Sequence, residues 1–482
     1  MEKEKSVSFR NFSKGTWRRI QNSVAPAGTF RLGMNYDSDV EIGTLQSRKG
    51  TTIIGTKQQS GARCYGLHHF IDSVGSATKL FAVFSDGANN IVHDVLDGTL
   101  DLTGDTKELK TRFLTYLDSC LRINGTDAAK AFNGTSWITT GGAFDLANIP
   151  PGATGCIEWR DKVYLYGFTS DPDAFKYSGI ADPSTRTVSW TVGNGTMYFE
   201  RENGGGKIMA AAKVPGYMLV FKRRSMHRWD GSSTYPEDLV NQGVASPECV
   251  CTARGMAIFI NENGVWATVG GYPKKISKPV QDFVEAIPDL NEVYCWADDN
   301  NAYLSIGTVT VDGETWQNCM LKLNLDDSSW DVRSYGHPIY FMSQYVNSSS
   351  HQKIMLGDGN GDVLLLNSGF TDYYDGTTDK EIHLTFESHD IDFGIRGFVK
   401  GIDNAHVFTE NSQNGQFILR NDTRDQEWNV VAATKSLFTD IKNGTVRGRF
   451  FNVKFTDITK TGHSKFLGFD LHGIKIFSST DL

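Results

Sequence analysis

The sequence of 482 residues is poor in proline, in long apolar runs and in helical periodicity. No stretch approaches about 18 uninterrupted apolar residues, which excludes a transmembrane helix. The charged residues 1–5 are not followed by an apolar run, so no signal peptide is expected. Apolar residues recur at spacings of three and four most clearly in residues 278–287, and Pro288 would end that helix. An almost helix-free fold is therefore expected.

Cysteine is also scarce. The number of cysteines is odd, their spacings are scattered and no C-x-x-C pair occurs. These features predict reduced, buried thiols and folding in a reducing cytoplasm. The cysteines are Cys64, Cys120, Cys156, Cys249, Cys251, Cys295 and Cys319.

Positive charge is in deficit, because the net charge is −8 and the pI is near 5.8. Binding nucleic acid over the whole surface needs dense lysine and arginine, so the acidic balance argues against that class of protein. Two local basic patches remain, at residues 222–224 and at Arg18-Arg19. A solvated strand face or loop is the more common interpretation of each.

Glycine and aromatic residues are abundant, which suits strands joined by tight turns. Short apolar runs recur in about seven units between residues 61 and 375, with central strands about 30 to 55 residues apart. Four-stranded propeller blades of ~40 to 50 residues fit this period. We therefore predict a β-propeller of about seven blades, uncertain by one, with a set of β-sandwiches as the alternative. The central strands lie near residues 81, 114, 165, 219, 258, 304 and 354.

The two ends of the chain differ from residues 61–375 in their pattern of apolar runs. Residues 1–60 are less regular and predict an N-terminal arm with a ring-closing strand, for which residues 23–31 are the candidate. Residues 376–482 contain strand-like runs of the kind that form a single β-sandwich or jelly-roll-like module. The predicted domains are therefore an arm (1–60), a propeller (61–375) and a sandwich (376–482).

Catalytic and cofactor motifs are missing: there is no G-x-S-x-G, H-E-x-x-H, Walker loop or G-x-G-x-x-G opening a helix. Residues 204–207 (G-G-G-K) lack the first glycine and the hydroxyl residue of a phosphate loop. Asp358, Asn360 and Asp362 resemble the start of a calcium loop, but Gly369 stands where its glutamate should be. His68 and His69 are adjacent, so on a strand they point to opposite faces and cannot share one ion.

Paired carboxylates would indicate an enzyme, because some propellers hydrolyse glycosides. Each of the candidate aspartates lies in a predicted turn, where aspartate commonly bonds to the backbone. The segment starting at Asp312 partly resembles a sialidase Asp box, but its aspartate and glycine are adjacent. We predict no catalytic, cofactor-binding or metal-binding residues and no enzymatic activity. The aspartates are Asp298, Asp299, Asp312, Asp326 and Asp327.

Short motifs at both ends resemble those of tailed-phage structural proteins. Asn35 and Asp37 followed by Arg48 and Gly50 are similar to a segment that precedes the propeller in such proteins. The motifs are N-F-S-K-G (11–15), G-M-N-Y-D (33–37), G-T-L-Q-S-R-K-G (43–50), V-R-G-R-F-F (446–451) and F-L-G-F-D-L-H-G-I (466–474). The resemblance is to the propeller-bearing tail nozzle, or packaged-DNA stabilisation, proteins of short-tailed phages.

This resemblance implies a structural virion protein that folds in the host cytoplasm and forms a ring, or hub, of six copies around the DNA exit channel. Its implied partners are its own copies, the portal-adaptor proteins, tail fibre or spike proteins, and packaged DNA through non-specific contact. It would help to retain DNA before ejection, without inserting into a membrane. The alternative from another class is a propeller glycoside hydrolase or carbohydrate-binding protein on a virion or cell surface. A deep central pocket with convergent carboxylates and stacked tryptophans would favour that alternative.

Overall fold

The computed structural model describes residues 5–18, 25–41, 43–73, 75, 78–199, 206–347, 349, 351–375, 379–393, 398–421, 425–429 and 437–477. This part of the chain is almost entirely β, as predicted, and contains one short α-helix, α1 (Gln281–Glu285), which follows a 3-10 turn at Lys278–Val280. The helix lies in the segment that showed helical spacing, and Phe283 and Val284 point into the core. Among the described residues, no helix is long and apolar enough to cross a membrane.

The N-terminal segment contributes five short strands, of which all but the third pair with distant parts of the chain. They are β1 (Lys5–Phe9), β2 (Leu32–Met34), β3 (Tyr36–Asp37), β4 (Leu45–Ser47) and β5 (Thr51–Ile53).

Seven four-stranded antiparallel units follow in the described residues. Blade one is β6–β9 (Cys64–Ile71, Thr78–Ser85, Asn89–Asp94, Thr99–Thr106) and blade two is β10–β13 (Arg112–Tyr116, Ser119–Ile123, Lys130–Phe132, Trp137–Ile138). Blade three is β14–β17 (Gly155–Trp159, Lys162–Tyr166, Ala174–Tyr177, Gly195–Tyr198) and blade four is β18–β21 (Ile208–Val214, Tyr217–Lys222, Met226–Trp229, Glu237–Val240). Blade five is β22–β25 (Val250–Ala253, Met256–Asn261, Gly264–Thr268, Lys274–Lys275) and blade six is β26–β29 (Tyr294–Ala297, Asn301–Val311, Glu314–Asn324, Trp330–Ser334). Blade seven is β30 (Ile339–Val346), β31 (Gln352–Asp358), β32 (Val363–Leu366) and β5.

The blades close into a ring. The first strand of each blade contacts the first strand of the next, and β30 of blade seven contacts β6 of blade one. These seven strands therefore surround a common axis, which is the arrangement of a β-propeller. In blades two to five the second strand is the most deeply buried, because neighbouring blades cover both of its faces; β19 and β23 are examples.

The ring is closed by β5, whose Thr51 and Ile53 lie opposite Leu366 and Leu364 of β32. Blade seven is thus built from both ends of the propeller sequence. The candidate for this role, residues 23–31, does not fill it: residues 23 and 24 lie outside the described residues, and Phe30 instead forms a bridge with Thr16. The three residues of β5 are too few to show a strand pattern in the sequence, so the strand is defined by its pairing with β32.

The C-terminal strands form a two-sheet β-sandwich that the N-terminal strands complete. One sheet has the order β2-β33-β38-β35-β36, and the other has β3-β4-β39-β34-β37 with β1 also on β39. The core contains Phe12 and Phe30 from the arm beside Phe386 and Phe466, and the Phe12 and Phe386 rings lie 5.1 Å apart. The C-terminal strands are β33 (Ile382–Glu387), β34 (Val399–Glu410), β35 (Gln416–Asn421), β36 (Asp425–Asn429), β37 (Leu437–Gly448), β38 (Phe451–Thr459) and β39 (Lys465–Phe477).

Propeller and sandwich share one continuous sheet. Strand β2 pairs in parallel with β29 of blade six, through Met34 and Val332, and antiparallel with β33 of the sandwich. The sandwich thus extends the outer edge of blade six, and its strands come from residues 5–47 as well as from residues 382–477. The ring-closing strand predicted within residues 1–60 is therefore present as β5, but the predicted arm is not separate, because its other strands belong to the sandwich.

All seven cysteines are free thiols, and six of them are buried. Burial raises the pKa of Cys64, Cys251 and Cys319 to about 12 and that of Cys249 to about 11. These side chains therefore behave as small apolar groups in the blade interiors.

Ile54, which follows the closing strand, gives a direct test of ring closure. Its N–H donates to the Val363 carbonyl oxygen at 2.8 Å. We expect Ile54→Pro to lower the free energy of unfolding by ~3 kcal/mol, because it removes this donor and constrains the backbone. The control Ile54→Val keeps the donor and should cost about 0.5–1.5 kcal/mol. Urea unfolding measures both, and equal stability of the two variants would contradict closure through this segment.

Candidate functional site

A cavity of about 540 Å³ lies on the propeller axis. A second chamber of about 380 Å³ adjoins it and shares Val250, Trp296 and Gln344 in its lining. These volumes fall in the range of small-molecule pockets. The first strands of the blades supply most of the lining, including Leu67, Phe113, Cys156, Val250, Trp296 and Met342.

One carboxylate, Glu248, belongs to the described lining of the larger chamber. It forms an ion pair with Arg112, and Lys110 lies 3.7 Å away. Burial works to raise the pKa of Glu248, but the two cations outweigh it and the pKa is lowered. Acid-base hydrolysis of a glycoside needs two carboxyl groups about 5–9.5 Å apart. The described lining offers one, and it is already neutralised.

His68 and His69 both reach this cavity and bond in different directions. His68 Nε2 lies 2.6 Å from Thr115 Oγ1 on blade two, whereas His69 Nδ1 accepts from the Val346 N–H on blade seven at 3.1 Å. Burial lowers the pKa of His68 to about 4 and also lowers that of His69. Both imidazoles are therefore neutral near pH 7 and hold the first strands of adjacent blades together.

The candidate aspartates of the turns have local partners. Asp298 Oδ1 accepts from the N–H groups of Asn300 and Asn301, each at 2.7 Å, and Asp327 caps the next turn through Ser329. Asp326 forms an ion pair with Arg254, and the Asp299 carbonyl accepts from the same arginine. Asp312 lies between Arg18 and Arg31. The structure brings no two of these side chains together around the axial cavity.

The segments that partly resemble a calcium loop and a phosphate loop have other roles where the structure describes them. Asp358 Oδ1 accepts from the N–H groups of Asn360 and Asp362 at 2.9 and 2.8 Å, which closes the hairpin between β31 and β32. Burial raises the pKa of Asp358 to about 6. Gly204 and Gly205 lie outside the described residues, and Lys207 directly precedes β18.

Each basic patch contains a cation that is buried or paired within the chain. Lys222 is 1% exposed, forms an ion pair with Asp173 and donates to the Phe199 carbonyl at 2.9 Å. Arg18 is paired with two aspartates, and Arg19 lies outside the described residues. Arg223 and Arg224 follow the second strand of blade four and are exposed, as expected for a solvated loop. Lys222, the last residue of that strand, is instead covered on both faces.

Three residues of the N-terminal motifs, Asn35, Asp37 and Arg48, meet at the junction of propeller and sandwich. Arg48 is fully buried, and its two Nη atoms reach the Asp372 carboxylate at 2.9 and 2.6 Å. Asn35 Oδ1 accepts from Arg48 Nε at 2.9 Å and from the Ser334 N–H at 2.7 Å. Asn35 Nδ2 donates to the His383 carbonyl at 2.8 Å. One side chain thus links arm, blade six and sandwich.

A second part of this junction holds three aspartates around one lysine. Lys322 Nζ lies 2.7 Å from Asp39 and 3.5 Å from both Asp37 and Asp331, and Arg333 contacts Asp37 at 2.6 Å. Burial works to raise the pKa of Asp37, but Arg333 and Lys322 lower it to about 2. Asp331 differs, because burial and the neighbouring carboxylates raise its pKa to about 6. The lysine ammonium therefore occupies the place that a metal ion would take among these oxygens.

The fold and the junction define a seven-bladed β-propeller protein in which a β-sandwich is fused to the edge of blade six. No family model matches the sequence, and no curated protein matches it. Solved structures of similar shape include YCF48 from Cyanidioschyzon merolae (8% identity, TM-score 0.41), which matches over 66% of this chain and 98% of its own. U3-55K (9%, 0.42) matches over the same shares, and the N-terminal domain of Nup159 (9%, 0.37) over 70% and 98%.

Breaking the buried pair at the junction should destabilise the whole protein. We expect Asp372→Asn to lower the free energy of unfolding by about 3–5 kcal/mol, because Arg48 is left buried without its counter-charge. The control Asp326→Asn breaks an exposed pair with Arg254 and should cost less than about 1 kcal/mol. Urea unfolding compares the two variants. A cost for Asp372→Asn no larger than for the control would refute the role of the junction.

The raised pKa of Asp331 predicts a pH dependence. In the unfolded chain this carboxyl ionises near its ordinary pKa of 3.8, whereas in the folded protein it ionises near 6. Between these values the folded state binds the extra proton, so Asp331 makes the protein less stable as the pH rises. The stability of Asp331→Asn relative to wild type should therefore increase from pH 4 to pH 7. A relative stability that is flat or falls over this range would contradict the assignment.

Proposed function

We propose that this protein is a structural component of a phage tail that works as a ring of identical copies around the DNA exit channel, below the portal and adaptor. The observation that carries the proposal is the place of the phage-like motif residues. Asn35, Asp37 and Arg48 lie together at the junction and join propeller and sandwich into one body. A closed propeller has few free sheet edges, which makes it a rigid block for repeated packing.

Charge and dimensions support a channel between copies. The axial cavity of about 540 Å³ has the volume of a small-molecule pocket, far too small for duplex DNA. The genome would therefore pass through the centre of the ring of subunits. The net charge of −8 would make its wall repel phosphates, so that DNA slides without adhering.

A candidate contact surface between copies lies on blades four and five. Tyr235 and Tyr272 are 83% and 80% exposed, and Val269 adjoins Tyr272 in the same loop. Arg228 connects the two loops, because it pairs with Glu237 and donates to the Gly270 carbonyl at 2.9 Å. We call Tyr235, Val269 and Tyr272 the tyrosine surface. Exposed aromatic residues of this kind are typical of protein interfaces.

The remaining features of the proposal rest on the family resemblance. Six copies would form a closed ring by head-to-tail contacts. The portal-adaptor proteins and tail fibre or spike proteins would be the neighbours of the ring, which folds in the host cytoplasm and works in the virion. The carbohydrate-active alternative is less favoured, because the larger axial chamber offers one tryptophan and one paired carboxylate among its described lining residues.

Charged substitutions on the tyrosine surface should block assembly without unfolding the chain. We expect the double variant Tyr235→Asp, Tyr272→Asp to keep its melting temperature, because both side chains are exposed, and to be absent from assembled particles. Immunoblots of purified particles from infected cells that supply the variant measure its incorporation.

The matched control is Leu100→Asp, which charges an apolar residue, 53% exposed, at the outer edge of blade one. It should be incorporated like the wild type. Absence of the wild-type chain from particles would refute the virion proposal. Normal incorporation of the double variant would show that the copies contact each other through a surface other than the tyrosine surface.

A further inference from the structure

A cluster of two histidines and one aspartate lies on the outer face of the sandwich. In the pairing of β34 with β39, His406 lies opposite Asp470, and Asn404 lies opposite His472. Residues directly opposite each other share a face, and so do residues two apart on one strand. His406, Asp470 and His472 therefore point to the same side of the sheet. The burial of their neighbours Ala405, Val407 and Leu471 shows that this side faces away from the core.

The three side chains converge on one point. One ligand atom from each lies within 4.8 Å of the other two, and the imidazole rings of His406 and His472 are 4.2 Å apart. His472 Nε2 is buried and has no hydrogen-bond partner among the described residues, although it lies 4.0 Å from Asp470 Oδ2. A buried polar atom without a partner is costly, and so it calls for an explanation such as an ion.

We propose that His406, Asp470 and His472 bind one divalent transition-metal ion. Zinc takes imidazole nitrogen at about 2.0–2.1 Å and carboxylate oxygen at about 2.0–2.2 Å, so the ligand atoms of a tetrahedral site lie about 3.3 Å apart. The ligand atoms now lie within 4.8 Å of one another, and we expect side-chain rotation on ion binding to shorten these distances. Imidazole ligands select ions such as Zn²⁺, Co²⁺ or Ni²⁺ over Mg²⁺ and Ca²⁺. Three protein ligands leave a fourth position open to water or another ligand.

Arg10 is the neighbour that orients the aspartate. Its Nε and Nη2 atoms donate to the two carboxylate oxygens of Asp470 at 3.2 and 2.8 Å, and its guanidinium lies over the Phe408 ring. Binding of the ion takes one oxygen, and Arg10 keeps the other. Partners of this kind fix the orientation of a ligating carboxylate. The site therefore also connects the N-terminal arm to the sheet of β34 and β39.

The other triad of possible ligands in the described residues does not compete for this role. Asp37, Asp39 and Asp331 enclose the ammonium of Lys322, which already supplies the positive charge. The His406 cluster offers imidazole nitrogen atoms and lies on the outer face of the sheet, where an ion can enter. This inference does not depend on the proposed tail function, because it concerns only the sandwich.

Calorimetric titration of the full chain with ZnCl₂ in a chelator-free buffer at pH 7.5 tests the site. We expect one ion per chain. His406→Ala and His472→Ala should each weaken binding at least ~10-fold and abolish the visible absorption of Co²⁺ bound in its place. The control His383→Ala removes an exposed histidine on β33 and should bind like the wild type. No saturable uptake by the wild type, unchanged uptake by either cluster variant, or loss of uptake in the control would overturn the proposal.

A measurement on the wild type alone removes any dependence on how the variants fold. Diethylpyrocarbonate modifies accessible imidazoles, and mass spectrometry locates the modified residues. We expect Zn²⁺ to protect His406 and His472 while His383 reacts as before. Equal modification of all three histidines with and without Zn²⁺ would overturn the proposal.

Discussion

The structure depends on the buried ion pair between Arg48 and Asp372. Arg48 lies three residues before the closing strand β5, and Asp372 lies in the segment that leaves blade seven for the sandwich. The backbones of Thr51 and Asp372 also form a bridge, so the two segments are clamped side by side. A buried guanidinium is tolerated only where every donor finds an acceptor, and Asn35, Asp372, Lys49 and Ser334 supply them here. Closure of the ring and attachment of the sandwich consequently depend on the same ion pair.

The same constraint holds the described part of the arm against its own chain. Its apolar residues Phe12, Phe30 and Leu45 fill the sandwich core, and β2 joins two sheets that would otherwise end in open edges. An open edge is a template for unwanted pairing, and β2 removes one such edge from blade six and one from the sandwich. If copies assemble into a ring, their contacts must therefore come from surfaces such as the loops of blades four and five, or the outer faces of the sandwich.

Much of the propeller could be predicted from the sequence because its contacts are local. Each blade is a run of hairpins, so consecutive strands pair with each other, and the order of short apolar runs and turn residues is enough to predict the pairing. The helix near Phe283 is predicted from the spacing of its apolar residues alone. Turn aspartates such as Asp298 were placed correctly for the same reason. The closing strand, the origin of the sandwich strands and the burial of Lys222 could not be predicted, because they depend on pairing or packing between distant segments. The cluster of His406, Asp470 and His472 shows this most clearly. His406 precedes the other two by 64 or more residues, and only the register of β34 against β39 brings them together.

Cryo-electron microscopy of the virion in which we propose that this chain assembles tests the proposed function most directly. Its resolution need only suffice to recognise a seven-bladed propeller with a sandwich on the edge of blade six. We expect copies of this body in a closed ring on the portal axis, with the DNA channel passing between them. Single copies placed away from that axis as peripheral appendages would contradict the channel role and would favour a surface-binding protein instead.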